Sequence, residues 1–218
     1  MAGLFITVEG PDGAGKSTLV EELNKKLQEV LTVPFIATRE PGGSDIAEKI
    51  REVIIDLDNK EMDAKTEALL FAASRRQHII ETIQPAINRG EVVLCDRFVD
   101  SSIAYQGAGR ELGVEEIATL NQFATENLVP DLTLYLDIEA QVGLNRIGHK
   151  NSNRKKDRLE LEKVTFHNRV REAYLVLLEK NADRMQLIDA SKSPKEVLDA
   201  AWAVLENELI KRNLIDTR

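Results

Sequence analysis

The chain has 218 residues, 43% of them hydrophobic, enough to bury a full core in one domain without metal or disulfide staples. Its formal net charge of -8 disfavours a broad electrostatic grip on nucleic acid, which relies on neutralising many phosphates, and leaves a small anionic substrate open. The single cysteine, Cys95, excludes an internal disulfide and lies in an apolar run, so it reads as a buried thiol in a reducing, cytoplasmic setting.

In chain order, short runs rich in Val, Ile and Leu fall at Leu4–Val8, Phe35–Thr38, Val92–Cys95, Leu132–Leu136 and Met185–Ile188, as expected for strands buried on both faces. Helical spacing fills the intervals at Ser17–Val30, Ile46–Ile55, Ala64–Asn88, Val114–Glu126, Ala140–Ile147, Lys163–Asn181 and Lys195–Arg212. Pro85 is expected to break the third of these into two helices. Such β–α alternation predicts an α/β fold: a five-stranded parallel sheet with helices on both faces, forming one domain over residues 1–218. No apolar stretch approaches the ~20 residues that span a bilayer. Met1-Ala2-Gly3 leads into a strand-like segment, so neither export nor membrane insertion is expected.

The segment Gly148–Arg158 lacks apolar periodicity and is crowded with His149, Lys150, Arg154, Lys155, Lys156 and Arg158. A solvated charge run is the plain reading. Its place between two helices, opening on Gly148, also suits a short lid over about 148–160.

The loop after the first strand reads Gly10-Pro11-Asp12-Gly13-Ala14-Gly15-Lys16-Ser17-Thr18, matching the phosphate-binding pattern G-x-x-x-x-G-K-[ST]. A loop that wraps a triphosphate must turn sharply and present bare backbone N–H groups, hence the three glycines. Lys16 then supplies a cation to the β- and γ-phosphates of ATP. The Ser17 hydroxyl can ligate Mg²⁺, and the helix starting there points its positive dipole end at the anion. A GTPase would carry N-K-x-D, but Asn59-Lys60-Glu61-Met62 puts its aspartate one residue late, at Asp63. Val92-Val93-Leu94-Cys95-Asp96 resembles a strand ending in a magnesium-organising aspartate. Arg97 beside it suits phosphoryl transfer between nucleotides, the alternative being a structural Asp–Arg surface pair.

Phe71 and Arg75 lie four apart on one helix, giving a base both a ring to stack on and a forked donor for a carbonyl edge. Ser102 and Gln106 repeat the spacing after Asp96-Arg97, with Ser101 and Tyr105 as a parallel pair; a capped helical turn would explain these without a ligand. Taken in order, Glu9–Ser17, Thr38-Arg39-Glu40-Pro41-Gly42-Gly43, Phe71-Ala72-Ala73-Ser74-Arg75, Asp96-Arg97-Phe98 and Ser101–Gly107 resemble the motif set of the bacterial thymidylate kinase family. The resemblance runs through Asp157-Arg158-Leu159-Glu160 to the final helix.

That resemblance implies a P-loop three-layer fold and transfer of the γ-phosphoryl of ATP to dTMP, with Mg²⁺, in a homodimer. It implies that Asp12 contacts the acceptor sugar, while Arg39-Glu40-Pro41 and Arg51 lie by the acceptor phosphate. Phe71 would stack on thymine and Arg75 would reach its O4, with Ser102 and Gln106 completing base recognition. Tyr105 would pack on the sugar, Arg97 would bridge the phosphates and Arg146 would pack on adenine. Gly13 stands where some members carry a P-loop arginine, so the catalytic charge is expected from the lid, at Arg154 or Arg158. The alternatives are another nucleoside monophosphate kinase, or a P-loop protein using ATP as a regulatory switch, which would have no need of the acceptor motifs.

Overall fold

The computed structural model describes residues 3–150 and 158–216. Strand β1 (Leu4–Glu9) is the middle of a five-stranded sheet of order β2-β3-β1-β4-β5, with β2 Phe35–Arg39, β3 Val92–Asp96, β4 Leu132–Asp137 and β5 Met185–Asp189. All four pairings are parallel, as the β–α alternation requires. In register, Asp96 lies opposite both Val8 and Arg39, and Glu9 lies opposite Tyr135. Glu9, Arg39 and Asp96 therefore share one rim, the edge at which open parallel sheets bind ligands.

Alternate β1 side chains enter different cores. Leu4, Ile6 and Val8 pack against Leu19, Leu23 and Leu27 of α1 (Lys16–Val30) and Leu205 and Leu209 of the C-terminal helix. The four-residue spacing aligns those leucines on one stripe, and each contributes about 2 kcal/mol by burial. Phe5 points the other way, into Val93, Cys95, Ile79, Ile83 and Phe98. Cys95 is buried as expected, and burial, with Glu40, Asp96 and Glu9 nearby, pushes its thiol pKa well up.

The remaining helices are α2 (Asp45–Ile55), α3 (Ala64–His78), α4 (Gln84–Asn88), α5 (Val99–Ser102), α6 (Val114–Thr125), α7 (Ala140–Lys150), α8 (Val164–Lys180) and α9 (Pro194–Lys211). The third helical region falls into two consecutive helices, α3 and α4, as expected, with Pro85 in the first turn of α4. A π-helical turn, Ile79–Ile83, precedes it, with the Gln84 N–H bonded to the Ile79 carbonyl, so the ladder widens ahead of the residue that has no N–H to give. A second π-helical stretch, Ile103–Gly109, follows α5. Gly148 lies inside α7, which continues to Lys150, and so does not open a loop; of the expected lid, 151–157 lie outside the described residues.

Candidate active site

The phosphate loop leaves β1 on the rim. Gly10, Gly13 and Gly15 all adopt positive φ (145°, 78° and 95°), and α1 begins at Lys16, so the loop N–H groups and the helix N-terminus share one concavity. Gly13 is required twice over: besides its φ, a Cβ there would stand 2.0 Å from the Gly143 carbonyl of α7. Lys16 Nζ donates to the carbonyls of Gly10 (3.0 Å) and Pro11 (2.7 Å). Burial, reinforced by Arg97, lowers its pKa to about 8 against the pull of Asp12, Asp96 and Glu9.

Ser17 Oγ donates to Asp96 Oδ2 at 3.2 Å, while Asp96 Oδ1, also buried, accepts no hydrogen bond among the described residues. A hydroxyl beside an under-used carboxylate oxygen fits Mg²⁺, which takes one or two protein oxygens and completes its shell with water and phosphate. Among the described residues no cluster of three or more His, Cys, Asp or Glu could cage a metal alone.

Arg97 follows directly, with φ 70°, a left-handed conformation that costs about 1–3 kcal/mol for a non-glycine residue. Its guanidinium donates to the Gly10 carbonyl (3.0 Å), Ser101 Oγ (3.0 Å), Asp12 Oδ1 (2.6 Å) and Tyr105 Oη (3.3 Å). The strained turn is clamped by Glu9, whose carboxylate accepts from Phe98 N (2.7 Å), Ser101 N (3.3 Å), Ser101 Oγ (2.6 Å) and Tyr174 Oη (2.8 Å). Burial and Asp100 raise the Glu9 pKa to about 7, although Ser101 and Arg97 oppose them. Burial also pushes Asp12 up, but Arg97, Lys16, Tyr105 and His167 outweigh it and hold that carboxyl below its usual value.

Beyond Arg97 the rim opens onto α3. Arg75, 2% exposed, uses four of its five N–H donors on Glu40 Oε2 (2.6 Å), Ser102 Oγ (3.0 Å), Asn121 Oδ1 and the Phe98 carbonyl (3.0 Å). One Nη2–H remains. The other Glu40 oxygen, Oε1, lies 3.1 Å from His78 Nδ1, so both carboxylate oxygens have partners within the protein. Arg39 reaches both Glu48 carboxylate oxygens at 2.9 Å, and Arg51 Nη1 donates to the Pro41 carbonyl at 3.1 Å. At the opposite end Arg146 Nη1 donates to the Ala190 carbonyl at 2.8 Å, beside Lys192, Pro194 and Leu198.

These groups line or back one cleft of about 750 Å³. The structure brings together Asp12, Gly13, Ala14, Gly15, Lys16, Ser17, Thr18, Arg39, Glu40, Arg51, Phe71, Arg75, Asp96, Arg97, Ser101, Ser102, Tyr105, Gln106 and Arg146 on its wall. Gly10 and Pro11 serve from behind, through their carbonyls. Arg154 lies outside the described residues. Arg158 is not brought to the phosphate loop: it is buried, with Nε donating to the Ile54 carbonyl at 3.3 Å and Nη2 paired to Glu67 Oε2. An arginine committed to a buried carboxylate is placed to anchor, and the expectation that it faces the phosphates is corrected.

Residues missed in the sequence are Glu9, Glu67, Asn121 and His167. Glu67 carried a usable signal, since it precedes Phe71 by the same four residues that separate Phe71 from Arg75. Glu9 was a charge ending a buried apolar strand. Asn121 and His167 come from α6 and α8, and nothing local marks them.

A parallel sheet carrying a phosphate loop at β1, an Asp-Arg pair at β3 and one cleft that runs along the rim from that loop to Phe71, Arg75 and Gln106 fits a P-loop nucleoside monophosphate kinase. Comparisons with known proteins narrow the class. A family model described as thymidylate kinase matches residues 8–201. Curated relatives include thymidylate kinases from Lacticaseibacillus casei, 53% identical over 94% of this chain and 96% of that protein, and from Bacillus velezensis, 52% identical over 97% and 99%. Among solved structures, thymidylate kinase from Ehrlichia chaffeensis superposes with a TM-score of 0.77 at 30% identity, covering 94% of this chain and 100% of that one. The chain belongs to the thymidylate kinase family.

Proposed function

We propose that the chain transfers the γ-phosphoryl group of ATP to dTMP, giving ADP and dTDP on the route to dTTP. The observation that carries this is the continuity of the cleft: the phosphate loop at its centre, an apolar-and-arginine end at Arg146, and a base-sized end at Phe71, Arg75 and Gln106. Two nucleotides laid along it would meet at Arg97.

The acceptor phosphate oxygen attacks the γ-phosphorus in line, forming one P–O bond as the bond to the β-phosphate bridging oxygen breaks. Lys16 holds the β- and γ-phosphates, and Arg97, tied to Asp12, spans donor and acceptor phosphates where charge accumulates. Mg²⁺, held through Ser17 and Asp96, would offset phosphate charge. Gly13 leaves the loop without an arginine, and we assign that charge to Arg154. Arg39 and Arg51 face the acceptor phosphate, Phe71 stacks on the base, Tyr105 packs against the deoxyribose and Arg146 packs on adenine. Exposed Leu69 of α3 (57%) and Phe123 of α6 (87%), on helices that pack together, support a homodimer. We infer a single-domain protein of the cytoplasm, in keeping with its lone, buried cysteine. Separately, among the described residues no helix is long and apolar enough to cross a membrane.

An ADP-release assay across nucleoside monophosphates tests the reading. Turnover should be strongest with dTMP; a different preferred base would make it another monophosphate kinase, and no turnover would favour an ATP-binding switch. Light scattering should give twice the chain mass.

A further inference from the structure

Glu67 is 0% exposed, yet no step described above uses it. It lies one turn before Phe71 and two before Arg75 on α3, on the face that meets the acceptor end of the cleft. Its Oε1 accepts from Gln106 Nε2 at 2.9 Å and from Arg110 Nε at 3.2 Å. Its Oε2 accepts from Arg110 Nη2 at 3.2 Å and from Arg158. Two guanidiniums offset the cost of burying the charge, and Arg110 is itself balanced by Glu162 at 2.5 Å.

We propose that Glu67 is a specificity-determining positioning residue: as a buried carboxylate it locks the Gln106 side-chain amide so that the amide oxygen faces the base. The inference rests on the reading of Gln106 as a base contact. An amide can present either end to a neighbour, and neighbours decide which. A carboxylate paired with two guanidiniums only accepts, so Gln106 must turn its NH2 to Glu67 and its Oε1 away, toward the cleft that Gln106 lines. Among the described residues at this end, the pocket then presents the Arg75 Nη2–H left over as a donor and Gln106 Oε1 as an acceptor, beside the Ser102 hydroxyl, which can serve as either. Thymine presents the complement, a carbonyl O4 beside an N3–H. Cytosine presents an amine beside a bare N3 and opposes both groups at once. Arg75 reads one edge atom, and Glu67, acting through Gln106, sets the polarity of the other.

The test compares kcat/KM for dTMP and dCMP in wild type, E67Q, E67D and Q106A. In E67Q a second amide replaces the obligate acceptor and Gln106 can flip. The dTMP:dCMP ratio should fall at least about tenfold, while E67D, which keeps the charge, should retain most of it. A merely structural role would lower both substrates together and leave the ratio unchanged, which overturns the proposal. Should Q106A leave the ratio unchanged, Gln106 is not a base contact and the reading beneath the proposal fails with it; a lowered ratio in Q106A with an unchanged one in E67Q sinks the proposal alone. If E67Q does not fold, wild-type protein labelled with 15N-glutamine decides. With dTMP bound, the Gln106 NH2 protons should stay protected and show no contact with the thymine ring, and a ring contact overturns the proposal.

Discussion

Arg97 Nη2 meets Asp12 Oδ1 at 2.6 Å, joining the end of β3 to the phosphate loop with side chains 18% and 14% exposed. Geometry of this kind makes a charged donor rigid before substrate arrives, which is where electrostatic catalysis gains most. R97A should lower kcat by about 10²–10³-fold, and D12N, which keeps shape but loses charge, by less. Rapid-quench measurement of the transfer step checks this. A loss confined to KM would assign Arg97 to binding alone.

The lowered pKa of Lys16, about 8 through burial and Arg97, bears on ATP capture. The ammonium is charged below that pH, so kcat/KM for ATP should be flat up to pH about 8 and then fall about tenfold per unit. A profile still flat at much higher pH would mean the lysine keeps its proton in the free enzyme.

Glu9 should make stability pH-dependent with the opposite sign to a salt-bridged acid. Its pKa rises from 4.5 to about 7, so between those values the folded state holds more protons than the unfolded state, and stability declines as pH rises through that window. E9Q mimics the neutral form. It should gain on wild type from pH 5 to pH 8, by up to about 2 kcal/mol, in urea unfolding curves. At the same time Arg97 loses its clamp, so turnover should drop; stability that tracks wild type across the window would show that Glu9 is ionised throughout.

The sheet was legible because parallel strands buried on both faces read as continuous apolar runs, and the nucleotide site because a phosphate loop must be contiguous in sequence. Phe71 and Arg75 were legible for a related reason, since a helix brings residues four apart to one face. What the sequence concealed was long-range pairing. Arg158 finds Glu67 across 91 positions and Arg97 finds Asp12 across 85, and no local pattern encodes either. Nor does composition mark the π-helical stretch carrying Tyr105 and Gln106.

The two arginines expected near the phosphates should separate on mutation. R158A leaves Glu67 one guanidinium short in a buried setting, which should cost about 1–3 kcal/mol of stability, as for other broken buried pairs that retain part of their compensation. Phosphoryl transfer should suffer less than in R154A, expected to lose about 10²-fold or more in kcat with ATP affinity near wild type. Thermal melts with single-turnover kinetics distinguish the two, and the reverse pattern would return the catalytic charge to Arg158.

Gly13 bears on the proposal that this charge comes from outside the loop. Its φ of 78° and the Gly143 carbonyl 2.0 Å from any Cβ leave no room for a side chain, and a Cβ on Gly143 would in turn meet the Asp12 carbonyl at 2.3 Å. The loop and α7 thus approach glycine to glycine, and an arginine at 13 would require α7 to withdraw. G13A should therefore destabilise by about 2 kcal/mol or more and weaken ATP binding, because steric overlap and backbone strain act together. G13R should fail to restore R154A. Rescue in that double variant, with α7 packing intact by hydrogen exchange, would mean that the loop can accept an arginine and that its absence here has another cause.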